Sequence, residues 1–185
     1  MIKILVVGVG SMGFAHAKAY DAIDGFEIVG LVARDFSKWP NVPPEFPDVP
    51  LYNDFYQALD FSKPDAVSIN SYTDTHADYS IAAMEAGAHV FVEKPLALNV
   101  NDARKVVDKA RSTGRKMIVG YILRHHPVWM KFIDVCRSLG RPIKLKMTSN
   151  QYSTGEDWVT HKRILSAGLS PLVDCGIHYA DVMVQ

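Results

Sequence analysis

Lys3-Ile4-Leu5-Val6-Val7-Gly8-Val9-Gly10-Ser11-Met12-Gly13, continuing through Phe14 to Ile23, is the stretch that decides the fold. An apolar run rich in β-branched residues leads into G-x-G-x-x-G, and Ala15, Ala19, Ala22 and Ile23 then recur at helical spacing. The pattern predicts strand, tight turn and helix. Each glycine has a separate task in such a turn: Gly8 permits the bend, Gly10 lets backbone approach a pyrophosphate, and Gly13 lets the helix pack on the strand. The free amides and positive dipole end of the helix would then face phosphate, so Gly8, Gly10, Ser11, Met12 and Gly13 are the first candidate dinucleotide-binding residues.

A βαβ unit requires a second strand, and Phe26 to Val32 supplies it. The residues just after that strand select the cofactor: an acidic side chain accepts from ribose hydroxyls, while a small residue followed by Arg leaves room and charge for a 2′-phosphate. Here Ala33-Arg34-Asp35 follow. Arg34 favours NADP over NAD because its planar fork matches a phosphate, with Asp35 as the alternative ribose partner or a helix N-cap. The segment from Trp39 to Pro50 holds half of the ten prolines, which predicts a stiff loop without regular helix. Trp39 either covers adenine or, the favoured reading, pins that loop to the body.

Tyr52 is expected in a small turn, Phe55, Ala58 and Leu59 on a short helix, and Pro64 to Asn70 on another strand. Ligands in open α/β sheets lie beyond the carboxyl ends of the strands, which brings Ser71, Thr73 and His76 over the cofactor. Thr73 or Asp74 is a candidate cap for a helix from Thr75 to Ala86, ended by Gly87. Ala88 to Val92 reads as a strand running directly into Glu93-Lys94-Pro95. A lysine in that position faces the crevice, where it can serve proton transfer or hold a substrate oxygen. The competing reading is a structural Glu93–Lys94 ion pair, and the Lys94–Pro95 bond is a candidate for cis. Asn99 is read as the cap of a helix through Arg111, ended by Gly114, with Val100, Ala103, Val106, Val107 and Ala110 inward, and Lys116 to Gly120 as the last strand. The expectation is therefore a Rossmann-type doubly wound parallel sheet, strand order 3-2-1-4-5-6, over residues 1–120.

Bulk properties limit the partners. Lys plus Arg and Asp plus Glu both number 20, so net charge gives no reason to expect nucleic acid or an anionic membrane. With 48% hydrophobic and 22% charged residues the composition is that of a globular protein. Cys136 and Cys175 lack metal or disulfide spacing and read as buried free thiols. No apolar run reaches spanning length and the N-terminus enters a strand at once, which predicts a cytoplasmic protein.

Taken in order, these blocks resemble the Gfo/Idh/MocA oxidoreductases, named for glucose-fructose oxidoreductase and inositol dehydrogenase. The resemblance rests on Gly8 to Gly13, on Thr73 to His76 leading into Ala82 to Val90, and above all on Glu93-Lys94-Pro95-Leu96-Ala97. It continues through Gly120-Tyr121 with Arg124 and Pro127 to Asp174-Cys175-Gly176-Ile177-His178. The resemblance implies Lys94, Asp174 and His178 as catalytic residues, with Glu93 and Lys94 also at the cofactor and Tyr121 and Arg124 at the substrate. Asp174 and His178 are four apart, so one continuous helix would turn both to one face. The implied chemistry is hydride transfer between NADP, or NAD, and a secondary alcohol or carbonyl of a sugar, polyol or related cyclic alcohol. Two alternatives stand beside it: a non-catalytic dinucleotide-binding sensor, and a lyase or glycosidase that uses the cofactor transiently. A metal site combining Asp174 and His178 with His125, His126 or His161 is disfavoured, since these lack ligand spacing.

The chain departs from the family pattern at Asp74, where Pro is usual, and at Ile122-Leu123, where polar residues are common. Residues 121–185 read as the start of an α+β substrate domain: a helix from Pro127 to Leu139 with Val128, Phe132, Val135 and Cys136 inward, a strand from Ile143 to Met147, and a helix from Leu172 to Val184. A lone strand there exposes both edges, so the expectation is either a fragment of a longer protein or a chain whose missing half is supplied from elsewhere, forming a homo-oligomer through this region.

Overall fold

The computed structural model describes residues 1–141, 144–148, 154, 155, 158, 159, 162, 165, 166 and 170–185. They fall into two compact units, Met1–Gly120 and Tyr121–Gln185.

The first unit is built on β1, Ile2–Val7, whose apolar run is buried on both faces; Leu5 and Val6 are fully covered. That double burial is what a central parallel strand demands. Strands β2 (Phe26–Val32), β3 (Leu51–Tyr52), β4 (Ala66–Ile69), β5 (His89–Val92) and β6 (Met117–Val119) complete a parallel sheet of order β3-β2-β1-β4-β5-β6. Helix α1, Ser11–Ala22, covers one face, where Val6, Val9, Ala17, Leu31, Ala33, Val42 and Phe46 form a cluster. On the other face α3 (Phe55–Ser62), α4 (Thr73–Glu85) and α5 (Val100–Thr113) pack Phe55, Leu59, Ala83, Met84 and Val106 against Leu5, Val7, Val67, Ile69, Val90 and Val92. Each such aliphatic side chain contributes about 1.5–3 kcal/mol on burial. The doubly wound parallel sheet is therefore present as the sequence predicts.

Several local expectations are corrected. The inward face of α1 is Gly13 and Ala17, one turn apart, whereas Ala15, Ala19, Ala22 and Ile23 are exposed. Tyr52 lies on β3 and not in a turn, because its carbonyl accepts from the Ala33 amide and the Pro50 carbonyl from that of Leu31. The proline-rich segment contains a short 3-10 turn, Phe36–Lys38, and one α-helical turn, α2, Val42–Glu45. Pro43 and Pro44 fall in its first turn, where no amide is required, and Val42 and Phe46 anchor it in the core. Helix α4 starts two residues earlier than expected, with Tyr72 at its N-cap and no side-chain cap bond. Asn99 does cap α5, its carbonyl oxygen accepting from the Asp102 amide, and Gly114 ends it at φ +66°.

In the second unit α6, Pro127–Ser138, leaves Val128 and Val135 exposed, while Phe132 and Cys136 are half-buried. Residues 144–148 pair with no strand among the described residues, and Ile143 lies outside them. The expected helix from Leu172 to Val184 is broken at Cys175 into Pro171–Asp174 and Gly176–Val184. Neither Cys136 nor Cys175 is in a disulfide, and both are half-buried rather than buried. Among the described residues no helix is long and apolar enough to cross a membrane, and no group of three or more His, Cys, Asp or Glu residues is arranged to hold a metal. His161 lies outside them.

Candidate active site

The carboxyl end of β1 turns at Gly8, whose φ of +82° suits glycine, and its amide donates to the Val32 carbonyl. A Cβ at Gly8 would lie 2.7 Å from the Ser71 backbone, and one at Gly13 only 1.6 Å from the Gly8 carbonyl oxygen. Those two glycines are demanded by packing. Gly10 differs: at φ −65° it caps α1 in ordinary backbone geometry, and a Cβ there would touch only the Trp39 ring at 3.4 Å. The first turn of α1 has neither a side-chain cap nor an acidic residue. Its amides and dipole end therefore suit a phosphate. The Trp39 ring flanks this turn. Ser11 and Met12 are exposed at the start of the helix.

Arg34 follows β2 on the surface, with its guanidinium carbon 5.7 Å from the centroid of the Tyr72 ring. Asp35 turns away toward its own loop: Oδ1 accepts from the Ser37 amide at 3.0 Å and its hydroxyl at 2.6 Å. Those bonds, the hydroxyl's first, and the Lys38 charge hold the carboxyl below the usual range against a small cost of burial. The N-cap reading of Asp35 is thus the one the structure displays.

Beyond β4, the Ser71 hydroxyl and the Thr75 hydroxyl are 2.6 Å apart, and Thr73 is half-buried at the start of α4. His76 is buried, its Nδ1 2.7 Å from the Pro95 carbonyl and its Nε2 3.0 Å from that of Ser71. Both ring nitrogens thus face backbone, so His76 fastens the loop after β4 to the loop after β5. Beyond β5, Glu93 is 8% exposed; Oε1 meets His16 Nε2 at 3.1 Å and Oε2 accepts from the Lys94 amide at 3.1 Å. Burial opposes ionisation of Glu93, but the His16 bond, the Lys94 amide and the charges of both residues prevail and hold its carboxyl below the usual range. Lys94 is half-buried on a cis bond to Pro95. Gly120 leaves the space Glu93 occupies, since a Cβ there would lie 3.2 Å from the carboxylate. Nothing in the spacing of the sequence marks His16 as this partner.

The second unit groups Tyr121, Arg124 and His178. The Tyr121 and His178 rings meet edge-on at 6.5 Å, and the Arg124 guanidinium lies 5.5 Å from the Tyr121 ring. Arg124 is gripped by Asp181, 7% exposed, through a bidentate pair with Nε 2.8 Å from Oδ2. Asp181 is a residue the sequence reading missed. Burial first, then the Asp181 charge, pushes the Tyr121 phenol up, with Arg124 opposing. Asp174 ends the short helix Pro171–Asp174 and His178 lies on Gly176–Val184, so the two stand on successive helical segments joined at Cys175, whose backbone (φ −100°, ψ −40°) stays in the right-handed helical region. Within the first unit a surface depression of about 410 Å³ lined by Tyr56, Leu59, Asp60, Lys63, Pro64 and Ala86 lies at the amino ends of the strands, opposite the glycine turn.

This arrangement agrees with the match of residues 2–121 to a family described as "Oxidoreductase family, NAD-binding Rossmann fold". The chain belongs to the Gfo/Idh/MocA family. It is 28% identical over 173 aligned positions to an inositol 2-dehydrogenase of Klebsiella pneumoniae, covering 88% of this chain and 50% of that protein. It is 30% identical over 198 positions to scyllo-inositol 2-dehydrogenase (NAD(+)) of Bacillus subtilis, covering 98% and 52%. Scyllo-inositol dehydrogenase of Lactobacillus casei, solved with NAD(H) and scyllo-inositol, superposes with a TM-score of 0.69 at 23% identity over 75% of this chain and 41% of that one, a likeness of fold. The chain spans about half the length of the curated relatives it matches. The Gly8–Gly13 turn, tightly packed at Gly8 and Gly13 and without an acidic residue or side-chain cap in the first turn of α1, fits the pyrophosphate of a dinucleotide, which it would hold.

Proposed function

We propose that the protein is an oxidoreductase that interconverts a secondary alcohol and a carbonyl on a sugar, polyol or related cyclic alcohol, with NADP preferred over NAD. The observation that carries this reading is Lys94: a half-buried lysine at the carboxyl end of β5, its backbone fixed by Glu93, in the unit whose glycine turn is shaped for a dinucleotide. The cofactor, when bound, supplies the hydride acceptor or donor. Lys94 would hold and polarise the substrate oxygen. His178 would take the hydroxyl proton, since an imidazole exchanges protons near neutral pH, and Asp174 would orient it. Arg124, fixed by Asp181, would offer its remaining donors, and Tyr121 its hydroxyl, to other substrate oxygens. In the second unit Val128, Leu139, Leu172 and Val184 are exposed, which supports the reading that this region packs on another copy in a cytoplasmic homo-oligomer.

The test is nicotinamide reduction in the presence of inositols, hexoses and other polyols. We expect turnover with at least one cyclic polyol, and Lys94→Ala should lower kcat by about 10²–10⁴-fold. Unimpaired turnover by Lys94→Ala would refute the assignment.

A further inference from the structure

The Arg34 side chain does not stand alone at the end of β2. Strand β1 separates β2 from β4 in the sheet, and Tyr72 follows β4, so the guanidinium reaches across the end of β1 to lie against the Tyr72 ring. The separation of 5.7 Å is within cation–π range. Asp35, the nearest acidic side chain in sequence, has Oδ1 engaged by Ser37 and does not compete for the guanidinium. A long cationic side chain loses rotamer freedom when it grips a ligand, and holding it beforehand reduces that loss.

We propose that Tyr72 is a positioning residue for 2′-phosphate recognition: its ring holds the Arg34 guanidinium over the carboxyl end of β1, so the choice of NADP over NAD depends on a residue after β4 as well as on the end of β2. This rests on the reading of Arg34 as the 2′-phosphate partner.

The probes are 2′,5′-ADP and 5′-AMP, titrated calorimetrically into the full chain. The wild type should bind 2′,5′-ADP about tenfold tighter or more than 5′-AMP, and Arg34→Ala should erase the difference. Tyr72→Ala should weaken 2′,5′-ADP by about two- to fivefold with 5′-AMP unchanged, and Tyr72→Phe, which keeps the ring, should retain wild-type affinities. Thermal unfolding of each variant checks that the fold is intact. No preference in the wild type would overturn both the NADP reading and this proposal. A preference undiminished in Tyr72→Ala, or an equal loss for both probes, would overturn the role of Tyr72 and leave Arg34 standing.

Discussion

A carboxylate as buried as Glu93 must have partners, because an isolated charge in a low-dielectric interior is costly. His16 is the side chain that meets it, with the ring also packed on Phe91 at 4.8 Å. His16→Ala should lower unfolding free energy by about 1–3 kcal/mol in denaturant titration, far more than an exposed histidine would. The Glu93 carboxyl titrates below its ordinary value, so the folded chain holds that proton less readily than the unfolded one. Its stabilisation is complete above the ordinary value of about 4.3 and disappears as pH falls through the folded value. Glu93→Gln should therefore be less stable than wild type at pH 7, and the gap should close on acidification below about pH 4; a gap independent of pH would contradict the ionised assignment. Neither His16 nor Asp181 was legible beforehand, since their partners stand 77 and 57 positions away in the chain and no local spacing marks such pairs.

At the scale of elements, what could be read was what local chemistry determines. Apolar runs gave β1, β2, β4, β5 and β6, and the Asn99 cap and Gly114 stop delimit α5 because both act within one turn. Strand β3 was missed: two residues carry no periodicity, and only pairing with Leu31 and Val32 makes them a strand. The α2 turn was missed because proline density argues against helices in general, yet two prolines in a first turn break no bond. The inward face of α1 was misread because small residues on opposite faces look alike in composition, and contact with β1 selects Gly13 and Ala17. That contact makes a sharp prediction. Gly13→Ala should destabilise the fold by roughly 3 kcal/mol or more, visible as a large fall in the unfolding midpoint, since the new Cβ would overlap the Gly8 carbonyl.

For the whole molecule, the family and the doubly wound sheet followed from the order of motifs along the chain. The catalytic assignments rest on that order too, and Asp174 and His178 stand on two helical segments joined at Cys175 rather than on one. Whether two residues four apart share a face depends on helix continuity, which glycine at 176 and the packing of Leu172 against it help to decide. The first unit carries the central claim, that the Gly8–Gly13 turn binds the pyrophosphate of NADP or NAD. Calorimetric titration of the chain with both dinucleotides, beside Gly10→Ala, tests it most directly, because a Cβ at Gly10 meets only the Trp39 ring and leaves the fold in place. We predict saturable one-to-one binding by the wild type, and at least about tenfold weaker binding by Gly10→Ala with an unfolding midpoint close to wild type. Equal affinity in the two proteins, or no binding by the folded wild type, would contradict the account.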